Sequence, residues 1–174
     1  MKAITIWQPW ATLLPLGIKL YETRSWATSY RGPIAIHAAA LKLPQVLKRC
    51  FPGEDDKLMF LDAIASGMKG AYTSKEIMDL LNGFPTSSFV ATARLIGCHK
   101  ISSLHGTRPM CFGNERIIRR ECGASFSPNE TELMLGDWTP GRYAWEFADM
   151  RPIPPIPAKG KQGLWEWNGG GLDV

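Results

Sequence analysis

A glycine, a lysine, a glutamate and an arginine stand in the order Gly17-x-Lys19-x-x-Glu22-x-Arg24, with Trp26 two residues on and Gln8-Pro9-Trp10 upstream. In an extended chain Glu22, Arg24 and Trp26 project to one side, and Lys19 arrives from the turn after Gly17. A carboxylate, a guanidinium and a ring on one face suit a pocket for a nucleotide. The ring would stack on a base, Arg24 and Lys19 would hold phosphate or a carbonyl oxygen, and Glu22 would accept from an amino group. The plainer alternative is an ion pair from Glu22 to Arg24 or Lys19 beside a core tryptophan, and the spacing leaves both open.

Four other groups of residues invite a chemical reading. His37 faces away from Ile34 and Ile36 on one extended run and can enter the same cleft, although a lone strand histidine is more often a satisfied, partly buried residue. Lys159-Gly160-Lys161-Gln162-Gly163 lacks the four-residue spacer and the Ser/Thr of a P-loop, so it is read as a basic loop at the cleft rim. Cys98-His99, His105, Cys111 and Cys122 are too widely spaced for the tight ligand pairs of a zinc site, and no metal is expected. Arg116, Arg119 and Arg120 would form one basic stripe if a short helix spans Asn114–Cys122, either as a solvated face or as a phosphate contact.

The elements that must position these groups follow from periodicity. Ala3-Ile4-Thr5-Ile6-Trp7 alternates and is β-branched, which predicts a first strand, and Pro9 opens a short helix over Trp10–Leu14. A second strand is predicted over Ile34–Ala38, with small Ala35 opposite the isoleucines. From Leu41 to Asn82 the period becomes helical, and Thr73-Ser74-Lys75-Glu76 is a capping box for its last helix. Strand character returns at Ser88–Cys98 and at Arg142–Ala148, where Tyr143, Trp145 and Phe147 alternate as core. The stretch 102–141 between them reads as a long loop. Pro152-Ile153-Pro154-Pro155-Ile156-Pro157 is expected to be extended and polyproline-like before a short strand at Gly163–Trp167.

The 174 residues are 45% hydrophobic and 21% charged, enough for one core, so a single domain over 1–168 is expected, with an insertion at about 41–87 and a flexible 169–174 tail. No apolar run has the roughly 18 residues needed to span a bilayer, and polar groups follow Met1 too soon for a signal peptide. Together with four scattered cysteines, this predicts a cytoplasmic protein without membrane or disulfide framework. The net charge of +4 is unevenly spread: residues 1–50 carry seven Lys/Arg against one acid, and 83–128 six against two, while the other two segments are acidic. Basic segments that meet in space suit phosphates; apart, they are solvated faces. Seven tryptophans and 17 glycines suit a small β structure whose rings fill a barrel or line a cleft.

Five motifs, in order, carry a family resemblance. They are Ile4-Thr5-Ile6-Trp7-Gln8-Pro9-Trp10-Ala11; Gly17-Ile18-Lys19 with Glu22-Thr23-Arg24-Ser25-Trp26; Arg31-Gly32-Pro33-Ile34-Ala35-Ile36-His37; Gly141-Arg142-Tyr143-Ala144-Trp145; and Lys161-Gln162-Gly163-Leu164-Trp165. The chain resembles the ASCH (activating-signal-cointegrator homology) domain in its bacterial and phage branch. The resemblance implies an α+β fold, a PUA-like β-barrel with flanking helices, whose cleft receives RNA or a nucleobase. It also implies two enzymatic alternatives. Some family members remove an acetyl group from acetylated cytidine with a Lys and a Thr three residues later. Lys19 matches that Lys, but Glu22 stands at the Thr position, where a carboxylate cannot serve as the hydroxyl nucleophile. Others are ribonucleases, for which Lys19, Glu22 and His37 are the nearby acids and bases. A carboxylate beside Lys19 is also expected to raise the lysine pKa.

The expected ligand-binding set is therefore Gln8, Trp10, Lys19, Glu22, Arg24, Trp26, Arg31, His37 and Lys161, with Lys19 and Glu22 the catalytic pair if the chain is an enzyme. RNA, a nucleotide or single-stranded nucleic acid is the expected partner, without a cofactor; a protein-interaction adaptor built on the proline-rich run and the helical insertion is the third alternative. Oligomeric state is open.

Overall fold

The computed structural model describes residues 1–68, 70–103, 116–119 and 125–169. Strand β1 (Lys2–Ile6) is followed by a one-turn helix α1 (Trp10–Leu13), then β2 (Tyr21–Arg24) and β3 (Gly32–Ala38). Helices α2 (Leu43–Cys50), α3 (Glu54–Gly67) and α4 (Ser74–Asn82) come next, and then the long strand β4 (Ser88–Ser103). Two short strands β5 (Arg116–Arg119) and β6 (Ser125–Phe126), helix α5 (Glu130–Leu135), the long β7 (Tyr143–Pro157) and β8 (Leu164–Glu166) complete the described elements.

Six strands form one sheet in the order β2-β7-β4-β3-β1-β8, with β5 and β6 extending from the far end of β4. Among the described strands only the β1–β3 pair is parallel; the connection between them carries α1 and β2, long enough for the crossover a parallel pair needs. The sheet curls into a half-barrel, and β2 and β8 remain its edges. Its inner face is filled by Ile4, Ile6, Ile34, Ile36, Leu95 and the fully buried Trp145. On the opposite face Ala3 and Ala35 are small because the stacked rings of Phe89 and Trp167, with centroids 3.8 Å apart, need the space.

The insertion is helical because its apolar residues recur every three or four positions. Leu43, Leu47, Phe60, Leu61, Ile64, Ile77 and Leu81 bury one shared face together with Leu13, Ile18 and Leu135. The capping box before α4 forms: the Thr73 hydroxyl accepts from Glu76 N at 3.3 Å, and the Glu76 carboxylate accepts from Thr73 N at 2.8 Å. No helix among the described residues is long and apolar enough to cross a membrane.

Three expectations are corrected. Residues Arg116–Arg119 are a strand, not part of a helix, so no helical stripe of arginines forms over them; the β-branched pair Ile117-Ile118 lies in register with Ser102 and Ile101 of β4. With β5, β6 and α5 inside it, the 102–141 stretch is more structured than a loop. The proline run is not separate from the sheet, since it forms the second half of β7 beside β4. It can do so because β2 pairs only with Tyr143–Glu146, leaving the run one-sided, where missing N–H donors cost no second ladder. His105, Cys111, Cys122 and the last five residues lie outside the described residues.

Phe60 is 0% exposed and packs against Trp10 and Phe51 at ring-centroid distances of 5.8 and 4.5 Å, joining the insertion to α1. Phe60→Ala is expected to cost about 3–5 kcal/mol in urea unfolding, and a cost under about 1 kcal/mol would show that the insertion does not share this core.

Candidate functional site

The curl of the sheet brings the β2 edge near β1 without joining their backbones. Arg24, the last residue of β2, reaches across and donates from a terminal guanidinium nitrogen to the carbonyl of Thr5 at 2.7 Å. Its Nε lies 3.0 Å from Glu22 Oε1, close enough for an ion pair but without the alignment of a hydrogen bond. A cleft of about 550 Å³ opens at this seam. That volume lies within the range of small-molecule sites.

Lys19 lies on the cleft floor. The chain turns into it through Gly17, whose φ of +71° belongs to the left-handed region that glycine adopts freely. The side chain is 1% exposed, and Nζ donates to the carbonyl of Leu135 at 3.0 Å. Gly136 permits this approach, because a Cβ there would lie 3.3 Å from Nζ and 2.7 Å from Trp138 Nε1. Burial pushes the Lys19 pKa below its ordinary value, and this outweighs the attraction of Glu22 and Glu132 that pulls it up. The expectation that Glu22 would leave Lys19 with a raised pKa is therefore corrected: the attraction is present and burial exceeds it.

Glu132, on the first turn of α5, is the second carboxylate facing this lysine. It is 2% exposed, accepts from the backbone N–H of Leu20 and Tyr21, and its second oxygen has no hydrogen-bond partner among the described residues. Burial pushes its carboxyl pKa up, against the pull of Lys19 and the two N–H groups. Further around the cleft Arg142 and Asp137 form an ion pair at 3.2 Å, with Arg142 also donating to the Asp137 carbonyl at 3.1 Å.

Aromatic rings form the walls. Trp26 is half-buried and meets Trp145 edge to face at 4.8 Å between centroids, so it is both packed and cleft-lining. Trp7 lines the cleft with the Arg49 guanidinium 5.4 Å above its ring. Trp10 lines it too, and its indole N–H is buried without an acceptor among the described residues. The end of α2 adds Cys50 and Phe51, so the helical insertion forms part of the cleft wall.

Of the residues expected from sequence, Trp10, Lys19, Glu22, Arg24 and Trp26 are brought to one cleft. The other four are placed elsewhere. Gln8 is 1% exposed, and its amide donates to Thr12 Oγ1 at 2.8 Å and to the Pro85 carbonyl at 2.6 Å. Arg31 donates to the carbonyls of Thr28 and Tyr30 at 3.0 and 2.7 Å. His37 is buried beneath Gly160, with Nε2 2.9 Å from the Ala158 carbonyl, and burial lowers its pKa. Lys161 is exposed, its ammonium 5.7 Å from the centre of the Trp165 ring. Cys98 and His99 face opposite sides of β4, where Cys98 Sγ accepts from Thr28 N and His99 Nε2 lies 2.7 Å from Glu146 Oε2. Trp7, Phe51, Asp137, Arg142 and Glu132 were not singled out as site residues; the nearest signal was the Gly141-Arg142-Tyr143 motif.

The buried lysine gives a pH-dependent signature. The unfolded chain keeps the Lys19 proton up to about 10.5, whereas the folded chain releases it lower, so unfolding takes up a proton in that window and stability rises with pH. Wild type should therefore gain stability relative to Lys19→Met as pH rises from neutrality towards 10.5, by urea unfolding. A difference that stays flat or shrinks would contradict the burial of a titrating ammonium.

No curated protein sequence is similar enough to the chain to count as a relative. A family model for the ASCH domain matches residues 4–156, which include every lining residue named above and all or most of each strand of the curled half-barrel except β8. The chain therefore belongs to the ASCH domain family, and its α+β fold is that family's PUA-like architecture.

Proposed function

We propose that the cleft binds RNA or a nucleotide through a base and its attached phosphate. The observation that carries this reading is the convergence of Lys19, Glu22, Arg24 and the rings of Trp7, Trp10 and Trp26 on one space of about 550 Å³. Lys19 on the floor and Glu22 beside it suit the edge of a base, one donating and the other accepting. Arg24 and Arg142, nearer solvent, suit a phosphate. The rings suit stacking, which tolerates any base and holds a single-stranded segment better than a duplex. We further propose that the chain belongs to the bacterial and phage branch of the family and acts in the cytoplasm.

A hydrolase acting on a modified nucleoside or RNA is the second reading, favoured by the lowered pKa of Lys19, which brings an amine closer to use as a base. Against it, Glu22 stands where the related amidohydrolases carry a hydroxyl nucleophile, so the covalent route is closed and Glu22 would have to activate water instead.

Arg24→Ala should weaken binding of a short single-stranded RNA by about 1.5–3 kcal/mol, the size of charge-assisted hydrogen bonds. Trp26→Ala should cost about 1–3 kcal/mol where the ring stacks on a base. Both are to be measured by fluorescence anisotropy at two salt concentrations on variants shown to be folded, with wild-type affinity falling as salt rises. Unchanged affinity in both folded variants would remove the cleft from nucleic-acid binding. Incubation with acetylated cytidine should release no acetate; robust turnover abolished by Glu22→Gln would move the chain to the hydrolases.

A further inference from the structure

The two basic segments of the chain meet on the sheet beside the cleft. Register places Arg24 of β2 opposite Tyr143 of β7, and Tyr143 opposite Lys100 of β4. Directly paired residues on neighbouring strands share a face, so these three side chains form one row across three strands. Arg24 belongs to the 1–50 segment, with seven Lys/Arg against one acid, and Lys100 to the 83–128 segment, with six against two. Arg24 also lines the cleft, so the row begins at its mouth.

The next row inward on the same face is Glu22–Trp145–Cys98, and it is closed. Trp145 is 0% exposed and meets the Trp26 ring edge to face, and Cys98 Sγ accepts from the backbone N–H of Thr28. The outer row stays open. Tyr143 is half-buried against the core, and Lys100 is exposed. Lys100 forms no ion pair among the described residues, whereas Arg24 is partly offset by Glu22 at 3.0 Å. Glu146 lies on the opposite face beside His99, so its carboxylate does not neutralise the row. Paired Cα atoms on adjacent strands are about 5 Å apart, which sets Lys100 about 10 Å from Arg24 with the tyrosine ring between them. Cation, ring and cation in line match a nucleic-acid strand, which alternates phosphate and base.

Given the nucleotide-binding reading of the cleft, on which this rests, we propose that Arg24–Tyr143–Lys100 is a second subsite that takes the next nucleotide of a single-stranded RNA. Tyr143 stacks on its base and Lys100 pairs with its phosphate. The ligand of the whole surface is then an oligonucleotide, and a free nucleotide fills only the cleft.

The test is calorimetric titration of the full chain with the four homotetraribonucleotides and the four nucleoside 5′-monophosphates, at several salt concentrations. The best-bound tetranucleotide should bind about tenfold or more tighter than its monophosphate. Lys100→Met should weaken the tetranucleotide about threefold or more and flatten the slope of log affinity against log salt by about 0.7, the share of one phosphate contact on a single strand. Lys100→Arg should restore both. Tyr143→Leu, which keeps an apolar side chain on the core but removes the ring, should weaken the tetranucleotide about fivefold or more. Both variants should leave monophosphate affinity unchanged. A monophosphate bound as tightly as its tetranucleotide, a tetranucleotide affinity untouched by both variants, or equal weakening of the two ligands overturns the second subsite and leaves the cleft reading standing. No binding of either ligand by the wild-type chain overturns both.

Discussion

An ammonium group taken out of water must find compensation or lose its proton, and much of this molecule is arranged around that demand at Lys19. The lysine is 1% exposed, with a hydrogen bond to the Leu135 carbonyl and carboxylates of Glu22 and Glu132 nearby. Meeting those partners requires a left-handed turn at Gly17, a residue without a side chain at Gly136, and a helix whose first turn delivers Glu132 to the start of β2. Residues more than a hundred positions apart are thus tied together at one point. A lysine held this way cannot swing out to solvent, so whatever uses it must come down into the cleft.

The cleft exists because the sheet stops short of closing. No backbone ladder joins the edge strands β2 and β8; instead the Arg24 side chain spans from β2 to the Thr5 carbonyl of β1, beyond the residues that β8 pairs. A side-chain bridge leaves room for a ligand and places a guanidinium at its mouth. The insertion completes the enclosure: Phe60 supports Trp10 and Phe51, and the end of α2 puts Arg49 over the Trp7 ring. The acidic, helical segment that looks separable in sequence is therefore structurally continuous with the cleft wall.

Much of this was legible beforehand. Strong periodicity located the β1, β3, β4 and first-half β7 strands and the capped helix α4, because each has a local cause in alternation, β-branching or a capping box. The spacing from Gly17 to Trp26 located half of the cleft for a similar reason: residues close in sequence on an extended chain share a face. The other half was not legible. Glu132, Asp137 and Arg142 join the site only through tertiary packing of α5 and the start of β7, and no local spacing connects them to Lys19. Gln8, Arg31 and His37 looked chemical because their side chains are polar, whereas each satisfies a nearby backbone carbonyl. The direction of the Lys19 pKa depended on burial depth, which spacing does not contain. The arginines at 116 and 119 misled because a helical interpretation and a β-branched Ile-Ile pair competed over four residues, and pairing with β4 decided the outcome.

The seven tryptophans offer a direct test of where a ligand sits. Trp7, Trp10 and Trp26 line the cleft, whereas Trp165 and Trp167 lie on the other side of the sheet with Phe89. The decisive measurement is the indole N–H spectrum of the intact chain, assigned by single Trp→Phe substitutions and titrated with a short single-stranded RNA and with a nucleoside monophosphate. Saturable shifts at Trp7, Trp10 and Trp26, largest for the Trp10 N–H, which lacks an acceptor among the described residues, with Trp165 and Trp167 unmoved, are predicted. Shifts centred on Trp165 and Trp167, or none at any indole, would contradict the assignment of this cleft as the binding site.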